Sequence, residues 1–452
     1  MIMTDESQKP KSLMEWLKES AIVKVVFIGM LMLALLIPSF MVQNLITERA
    51  QRQETMIQEV SESWSGTQLI KGPVLVIPFK KTEKYTDGES KEAYREVTDN
   101  LYILPDDLHY KAAVASEILH RGIFDVVVYN TKVKVAGNFG KMNLGALGID
   151  ARQLLLERAH ITFEISDLKG LKNNPVIKAG NQLLNTEPVL SSNAVFKNGL
   201  QGNINLSPLI GSAFSFNYDL DIKGSDELHF LHLGKVTDVQ LNGDWASPSF
   251  DGRYLPDHRK INDKGFAAKW RLLYYNRPYP QQWTTDNTLL ENEKKQEDAT
   301  FGVKLRLPVD DYQKTTRTSK YAILIILLTF VSLFLTELIS KQRVHSFNYI
   351  LIGAAMIIYY TLLLSFSEQI GFNYAYLVAS VSTVVLIAAF IASLLKNHKS
   401  ALLLSMILSV FYVFIFVIIQ LEDLALMVGS IALFVIIAVL MYVSRKINWD
   451  KH

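Results

Sequence analysis

The sequence predicts a membrane protein of mixed class: one N-terminal transmembrane helix, a large mainly antiparallel-β periplasmic domain, and a C-terminal five-helix transmembrane bundle. Three observations carry this reading. Six stretches are apolar and long enough to cross a bilayer, at 25–42, 321–340, 347–366, 372–395, 401–420 and 424–443; a hydrocarbon core about 30 Å thick needs roughly 20 such residues. Between the first and second of these lies a polar segment, 47–319, large enough to fold as a domain. Within it, short runs alternate apolar and polar residues with the period of two that a half-buried strand requires.

The N-terminal tail, 1–21, carries Ser12-Leu13-Met14-Glu15, which reads as a capping box opening a short helix. Its Leu13, Trp16 and Leu17 suit a position on the membrane surface. The first transmembrane helix, 22–46, includes a run without ionisable residues from Lys24 to Glu48. That run exceeds the roughly 7–15 residues of a signal-peptide core, and Leu36 to Met41 offers no small-x-small cleavage pattern, so it reads as an uncleaved anchor.

Lysine and arginine in short loops set orientation. Lys9, Lys11, Lys18 and Lys24 precede the first span; counting through six spans, the same side receives Lys341, Arg343, Lys396, Lys399, Arg445, Lys446 and Lys451. The opposite short loops hold Glu368, Glu422 and Asp423 and no cation. Both termini are therefore expected in the cytoplasm, with 47–319 in the periplasm of a bacterial inner membrane, followed by the bundle at 320–444 and a cytoplasmic tail at 445–452.

In the polar segment, strands are expected at 73–79, 123–129, 161–165, 213–223, 227–233, 266–275 and 301–307. The clearest is 213–223, where Phe214, Phe216, Tyr218, Leu220 and Ile222 take one face and Ser215, Asn217, Asp219 and Asp221 the other. Helix is expected at 151–159 behind an Asp150 cap, and at 45–64, where Ile46, Ala50, Ile57, Val60 and Trp64 follow a helical period. Two charged segments, 80–100 and 284–300, read as exposed loops, and Asp106-Asp107 and Asp310-Asp311 as turns. The architecture expected is a β-sandwich or barrel-like domain, in one or two lobes.

Composition excludes several chemistries. A net charge of +2 on 46 basic and 44 acidic residues gives no footprint for nucleic acid. The absence of cysteine removes disulfides, thiol nucleophiles and cysteine-ligated metals. His229 and His232 are three apart on an expected strand, so they face opposite sides and cannot share an ion. Asp219 and Asp221 share a strand face, which reads as a solvated face opposite an apolar one. Ser393-Leu394-Leu395-Lys396 matches a serine-enzyme motif but lies at the end of a transmembrane helix without its companion motifs. No catalytic, cofactor-binding or metal-ligating residue is assigned.

Two groups remain as candidate sites. Asn276 to Trp283 mixes a cation, prolines and aromatics, so Arg277, Tyr279 and Trp283 are candidate contacts to an envelope protein or glycan; the alternative is a loop packed onto its own domain. Glu337 is the sole acid inside an expected span, and with Arg343 and His345 it makes a candidate intramembrane polar site. An ion pair with Lys341 or Arg343, snorkelling and proton handling are all consistent with its position near the cytoplasmic end. Ala375 and Ala379, Ala388 and Ala392, and Ala389 and Ser393 read as small-residue helix contacts.

These pieces resemble a known family. Thr47-Glu48-Arg49, Gly72 to Pro78, Asp244 to Phe250, Leu255-Pro256 and Asn276 to Trp283 are similar to the CreD family of bacterial inner-membrane proteins of cell-envelope integrity. The most specific piece is Pro308-Val309-Asp310-Asp311-Tyr312-Gln313, then Arg317, Lys320-Tyr321-Ala322, Glu337, Arg343, His345, Tyr349, Tyr359, Ser367-Glu368 and Gly371-Phe372. The similarity covers nearly the whole chain; Ser346 and Gln369 depart from the pattern, which tends to have Pro and His there. The resemblance implies a role in envelope integrity and stress response, under a two-component regulon in some bacteria, and supplies no catalytic residues. The expected function is non-enzymatic, with the lipid bilayer and an envelope component as partners. A transporter or lipid-handling protein is the first alternative, and an envelope enzyme without a recognisable motif the second.

Overall fold

The uncharged run after Lys24 forms the first half of a helix much longer than a bilayer needs. Helix α1, Ala21–Trp64, has 44 residues, a length of about 66 Å at 1.5 Å per residue. Beyond Thr47 its surface turns polar, with Arg52 paired to Glu48 one turn back at 2.7 Å. The helical period expected through Trp64 holds, and Pro38 is accommodated inside the helix. The computed structural model describes residues 21–86, 92–190, 194–196, 198–209, 211–305, 311–340, 344–395, 398–421 and 424–445. Contacts divide the chain into two units, Met1–Gln53 with Val309–His452, and Glu54–Pro308.

Among the described residues the second unit has seventeen strands. They are β1 (Gln68–Thr86), β2 (Glu92–Ile103), β3 (Asp107–Arg121), β4 (Phe124–Phe139), β5 (Ala159–Ile165), β6 (Val176–Ala179), β7 (Gln182–Asn185), β8 (Glu187–Pro188), β9 (Gly199–Ile204), β10 (Phe214–Ser225), β11 (Glu227–Leu231), β12 (Val236–Gly243), β13 (Ser249–Gly252), β14 (His258–Asn262), β15 (Gly265–Leu273), β16 (Gln282–Thr284) and β17 (Thr300–Lys304). One sheet runs β13-β17-β11-β1-β5-β9-β8, with β2 joining β1 to β16; the other runs β14-β15-β12-β3-β4-β10-β6-β7. Most pairs are antiparallel, but β1 with β11 and β3 with β12 are parallel, so the domain is mixed rather than simply antiparallel.

The alternation in 213–223 is borne out: Phe214, Phe216, Tyr218, Leu220 and Ile222 are buried along β10 while Ser215, Asn217 and Asp219 face out. Inward rings join the two sheets face to face. Phe163 of β5 stacks on Tyr218 of β10 with centroids 4.6 Å apart, Tyr110 of β3 meets Phe230 of β11 at 5.0 Å, and Trp270 of β15 meets Phe301 of β17 at 5.6 Å. The result is a sandwich with one continuous apolar core. Gly72 sits at φ +107° in an irregularity of β1, where a Cβ would come within 2.8 Å of Phe163 Cβ. Only glycine fits there. The end of α1 belongs to this unit, and Val60, Ile57 and Trp64 pack on Val126 and Val128 of β4.

Three local expectations are corrected. Among its described residues, 80–86 and 92–100, segment 80–100 is not a loop: β1 and β2 stay paired from Leu75–Ile103 out to Thr86–Glu92. Its charges are satisfied across the ribbon, Lys80 to Glu96 at 3.2 Å and Arg95 to Glu83 at 3.3 Å. Residues 151–159 form two short 3-10 turns, Ala151–Gln153 and Leu156–Arg158, rather than an α-helix, although Asp150 does cap the first with a capping box. Segment 284–300 contains a short helix, α2 (Glu293–Glu297), capped by Asn292.

In the first unit, helices follow at α3 (Asp311–Lys320), α4 (Ala322–Ser340), α5 (Ser346–Ile370), α6 (Phe372–Leu395), α7 (His398–Gln420) and α8 (Ala425–Ser444). Asp311 therefore opens a helix rather than sitting in a turn, while Asp310 lies outside the described residues. Among the described residues, four helices are long and apolar enough to cross a membrane, the first one and α5, α6 and α7. The pair α3–α4, bent by 43°, makes a fifth if counted as one span, and α8 contains a shorter apolar stretch, Met427–Val439. The bend has no proline. Thr315 and Thr318 donate their hydroxyls back to the carbonyls of Asp311 and Lys314, each at 2.8 Å, and Tyr321 N bonds the Thr318 carbonyl only three residues back. Such back-bonding tilts helix carbonyls and bends the axis.

Candidate functional site

Glu337 lies on α4, one of the most apolar stretches of the chain, and is only 7% exposed. An isolated carboxylate there is costly, so its partners decide its role. Its Oε1 takes the ammonium of Lys24, on α1, in a short charged hydrogen bond. Lys24 also donates to the Val344 carbonyl at 2.6 Å and lies 5.5 Å from the centre of the Tyr349 ring. Tyr349, on α5, donates its hydroxyl to Glu337 Oε2 at 3.1 Å. Both carboxylate oxygens are thus engaged, and three helices meet at one neutralised pair. His345 stands apart from it, capping α5 by accepting from Phe347 N at 3.2 Å. Arg343 lies outside the described residues. Sequence reasoning read Lys24 only as a topology signal; the partner is 313 residues from Glu337, beyond any local pattern.

A second polar knot joins α3 and α5. Tyr312 donates to Glu368 Oε1 at 2.8 Å, Arg49 of α1 approaches the same oxygen at 4.0 Å, and Asp311 accepts from Phe372 N at 3.2 Å. Between helices α6 and α7, the Tyr376 hydroxyl donates to the Tyr412 carbonyl at 2.7 Å, and the rings of Tyr359, Tyr360, Tyr376 and Tyr412 pack edge to face around it.

In the β unit, the three candidate contact residues face inward. Arg277 is 7% exposed: its guanidinium donates to the Leu233 carbonyl, to the Tyr279 carbonyl at 2.9 Å and to Gln281 Oε1 at 2.9 Å. Gln281 in turn donates to the Leu104 carbonyl at 2.5 Å. Burial pulls the guanidinium down to about 10 from its ordinary pKa, because no carboxylate touches it. Tyr279 is buried, and Trp283 stacks on Tyr102 at 5.2 Å and donates to the Asp286 carbonyl at 2.8 Å. The segment pins a loop onto its own domain.

The exposed aromatics lie just before it. Along β15, Phe266, Ala268, Trp270 and Leu272 are buried, and the odd positions Lys269, Arg271 and Leu273 face solvent. Past the strand a 3-10 turn, Tyr274–Asn276, exposes both of its rings: Tyr274 is 47% and Tyr275 81% exposed, with their rings 4.5 Å apart. The loop holding Leu255 runs alongside, tied by Trp270 Nε1 to the Tyr254 carbonyl at 3.1 Å, by the Tyr254 hydroxyl to the Asn276 carbonyl at 2.7 Å and by Arg271 N to Asp257 at 2.7 Å. Leu255, Leu273, Tyr274 and Tyr275 thus form an exposed apolar face beside Arg253 and Arg271. The period-two register of β15 could have placed Leu273 outward, but not the two adjacent tyrosines of the turn that follows.

The titratable side chains of this unit pair with one another. His229 sits between Asp251, at 2.8 Å, and Glu227, at 3.5 Å, and Lys304 bridges the same two carboxylates at 2.6 and 3.2 Å. The paired carboxylates hold Lys304 above the ordinary lysine range. His232 goes its own way, fully buried, with Nδ1 at 2.9 Å from Thr237 Oγ1 and Nε2 at 3.1 Å from the Leu273 carbonyl; burial lowers its pKa to about 4. Asp219 and Asp221 remain on the outer face of β10, the latter 3.8 Å from Lys172. Among the described residues no group of three or more His, Asp or Glu side chains could hold a metal ion. A polar cleft of about 430 Å³ lies between the β1–β2 hairpin and the turn at Asp150, lined by Lys80, Glu96, Asp150 and Arg152 among others.

Comparison with known proteins gives a consistent relative. The family described as inner membrane protein CreD matches residues 20–450. The inner membrane protein CreD of Escherichia coli strain K12 is 29% identical over 423 residues, covering 92% of this chain and 91% of the relative. Among solved structures, an M1 zinc metallopeptidase from Deinococcus radiodurans overlaps 38% of each chain at 7% identity and a TM-score of 0.18. A single-residue variant of that enzyme overlaps 38% of each chain at 8% identity and a TM-score of 0.19. Overlaps this slight speak neither for fold nor for chemistry.

Proposed function

The chain belongs to the CreD family of inner membrane proteins, and from that membership we propose a non-enzymatic role in envelope integrity, in which the β unit binds an envelope component and the helices anchor it. In this reading the chain crosses the inner membrane six times, both termini are cytoplasmic and residues 47–319 are periplasmic. The observation that carries the binding role is the exposed face of Leu255, Leu273, Tyr274 and Tyr275, flanked by Arg253 and Arg271. Aromatic rings beside cations suit the apolar face of a sugar or an extended peptide.

The test is photocrosslinking in intact cells, with a photoreactive residue at position 275 of the full chain. A discrete covalent adduct is expected at 275 and absent when the same residue replaces Asp219 on the outer face of β10. Equal labelling at the two positions, or none at 275, would count against the proposed face. The bend at Tyr321 keeps a second reading in view, because transporters use broken helices. Solute or lipid flux in liposomes that disappears in a Glu337→Gln variant would favour it.

A further inference from the structure

Helix α3, Asp311–Lys320, is polar, yet it leads directly into the apolar helix α4 at Ala322. Its two faces differ. Tyr312, Thr315, Thr318 and Ser319 are buried. Rotation about its own axis is fixed by Tyr312 to Glu368 and by Asp311 to Phe372 N. Lys314, Arg317 and Lys320 follow one another at intervals of three, which keeps them within about a third of the helix circumference. Lys320 is exposed and Lys314 and Arg317 are partly so. Among the described residues none of the three forms an ion pair.

The acids near this helix offset those cations only in part. Asp311 accepts from the Phe372 amide and also attracts Lys314, while Glu368 accepts from the Tyr312 hydroxyl with Arg49 4.0 Å away, which leaves Arg317 and Lys320 without an acid partner among the described residues. The Lys314 ammonium lies 5.7 Å from the centre of the Phe372 ring, over its face. The arrangement is a rigid basic face placed where an apolar span begins. Phosphate is the anion concentrated at that depth of a membrane, and guanidinium and ammonium groups both recognise it.

The geometry points to a phospholipid headgroup site: Lys314, Arg317 and Lys320 hold the phosphates of anionic lipids at the boundary where α3 passes into α4. The site rests on the helical unit alone and is independent of what the β unit binds. It is tested with the full chain in nanodiscs of equimolar phosphatidylglycerol and phosphatidylcholine, the lipids retained by the released protein being counted by native mass spectrometry. The wild type is expected to retain phosphatidylglycerol preferentially. In the variant Lys314→Gln, Arg317→Gln, Lys320→Gln that preference is expected to fall by up to roughly 100-fold, about five-fold per cation, and in the single variant Lys320→Gln by about five-fold. A control with equal charge loss on exposed lysines of the β unit, Lys260→Gln, Lys264→Gln, Lys294→Gln, is expected to keep it. Equal retention of the two lipids by the wild type would overturn the site. So would an unchanged preference in Lys320→Gln and the triple variant, the same loss in the control, or release of phosphatidylglycerol by millimolar inorganic phosphate as effectively as by competing anionic lipid.

Discussion

Removing Lys24 strands Glu337, and the size of the effect can be worked from the contacts around it. In Lys24→Met the carboxylate loses its ammonium partner and keeps the Tyr349 hydroxyl at 3.1 Å. Breaking one side of a buried pair costs about 3–5 kcal/mol. The Lys24 side chain is 20% exposed, so part of that cost is screened and a loss of about 2–4 kcal/mol is expected. Glu337→Gln leaves the ammonium with the Val344 carbonyl and partial solvent access, so about 1–2 kcal/mol is expected there. The double variant, Lys24→Met with Glu337→Gln, removes both charges and is expected within about 1 kcal/mol of wild type, because an apolar side chain beside a neutral amide needs no charge compensation. The pair therefore has a coupling energy of about 2–6 kcal/mol. The assay is reversible unfolding of the full chain in lipid bicelles, all four members of the cycle being measured at one pH and salt. Additive losses, with the double variant as unstable as the two singles together, would refute the claim that this pair joins α1 to α4.

Two further predictions concern the β unit. His232 is fully buried and its pKa is lowered to about 4, against 6.5 in the unfolded chain, so the unfolded state binds the extra proton. Its contribution is fully present above about pH 6.5 and is lost as pH falls toward 4, costing roughly 3 kcal/mol over that window; thermal unfolding from pH 7.5 to 4 should show this slope, and His232→Gln should flatten it. Arg277→Ala strips the partners from the Leu233 and Tyr279 carbonyls inside the domain and should cost about 3–5 kcal/mol, with Arg277→Lys recovering only part. Tyr275→Ser, at an 81% exposed position, should change stability by less than about 0.5 kcal/mol. Equal losses at 277 and 275, measured by denaturant unfolding, would contradict the assignment of one to the interior and the other to the surface.

What was legible in the sequence followed from solvation and short-range period. The uncharged runs became helices because a chain without ionisable groups for twenty residues has few other ways to satisfy its backbone in lipid, and the alternation of β10 became a strand with its apolar face inward. The outer part of the β1–β2 hairpin, beyond Phe79, was missed because it leaves the core and neither face carries an apolar stripe; cross-strand pairs such as Lys80 with Glu96 show themselves only once the register is known. The same holds for the contact loop. Arg277 looked like a surface cation because arginine mostly is, and its burial rests on carbonyls supplied by Leu233, Tyr279 and the loop itself. Of the small-residue pairs in α6, Ala375 and Ala379 are buried as expected, whereas Ala389 and Ser393 face outward.

Apolarity made the helices of the first unit recognisable, but it cannot decide which helix meets which, because lipid tails are as apolar as leucine. The discriminating contacts are the few polar ones. Lys24 with Glu337 joins α1 to α4, Tyr312 with Glu368 joins α3 to α5, and Asn373 with Gln420, at 2.7 Å, joins α6 to α7, where the Tyr376 hydroxyl adds a bond to the Tyr412 carbonyl. Each links two different helices and each is satisfied within the protein. Separating α1 from α4 would leave the Glu337 carboxylate without the Lys24 ammonium in an apolar setting, at a cost of several kcal/mol. The scarce polar residues therefore specify the packing of a bundle whose abundant apolar residues only place it in the membrane. An intramembrane acid such as Glu337 can be a requirement for assembly before it is a site of chemistry.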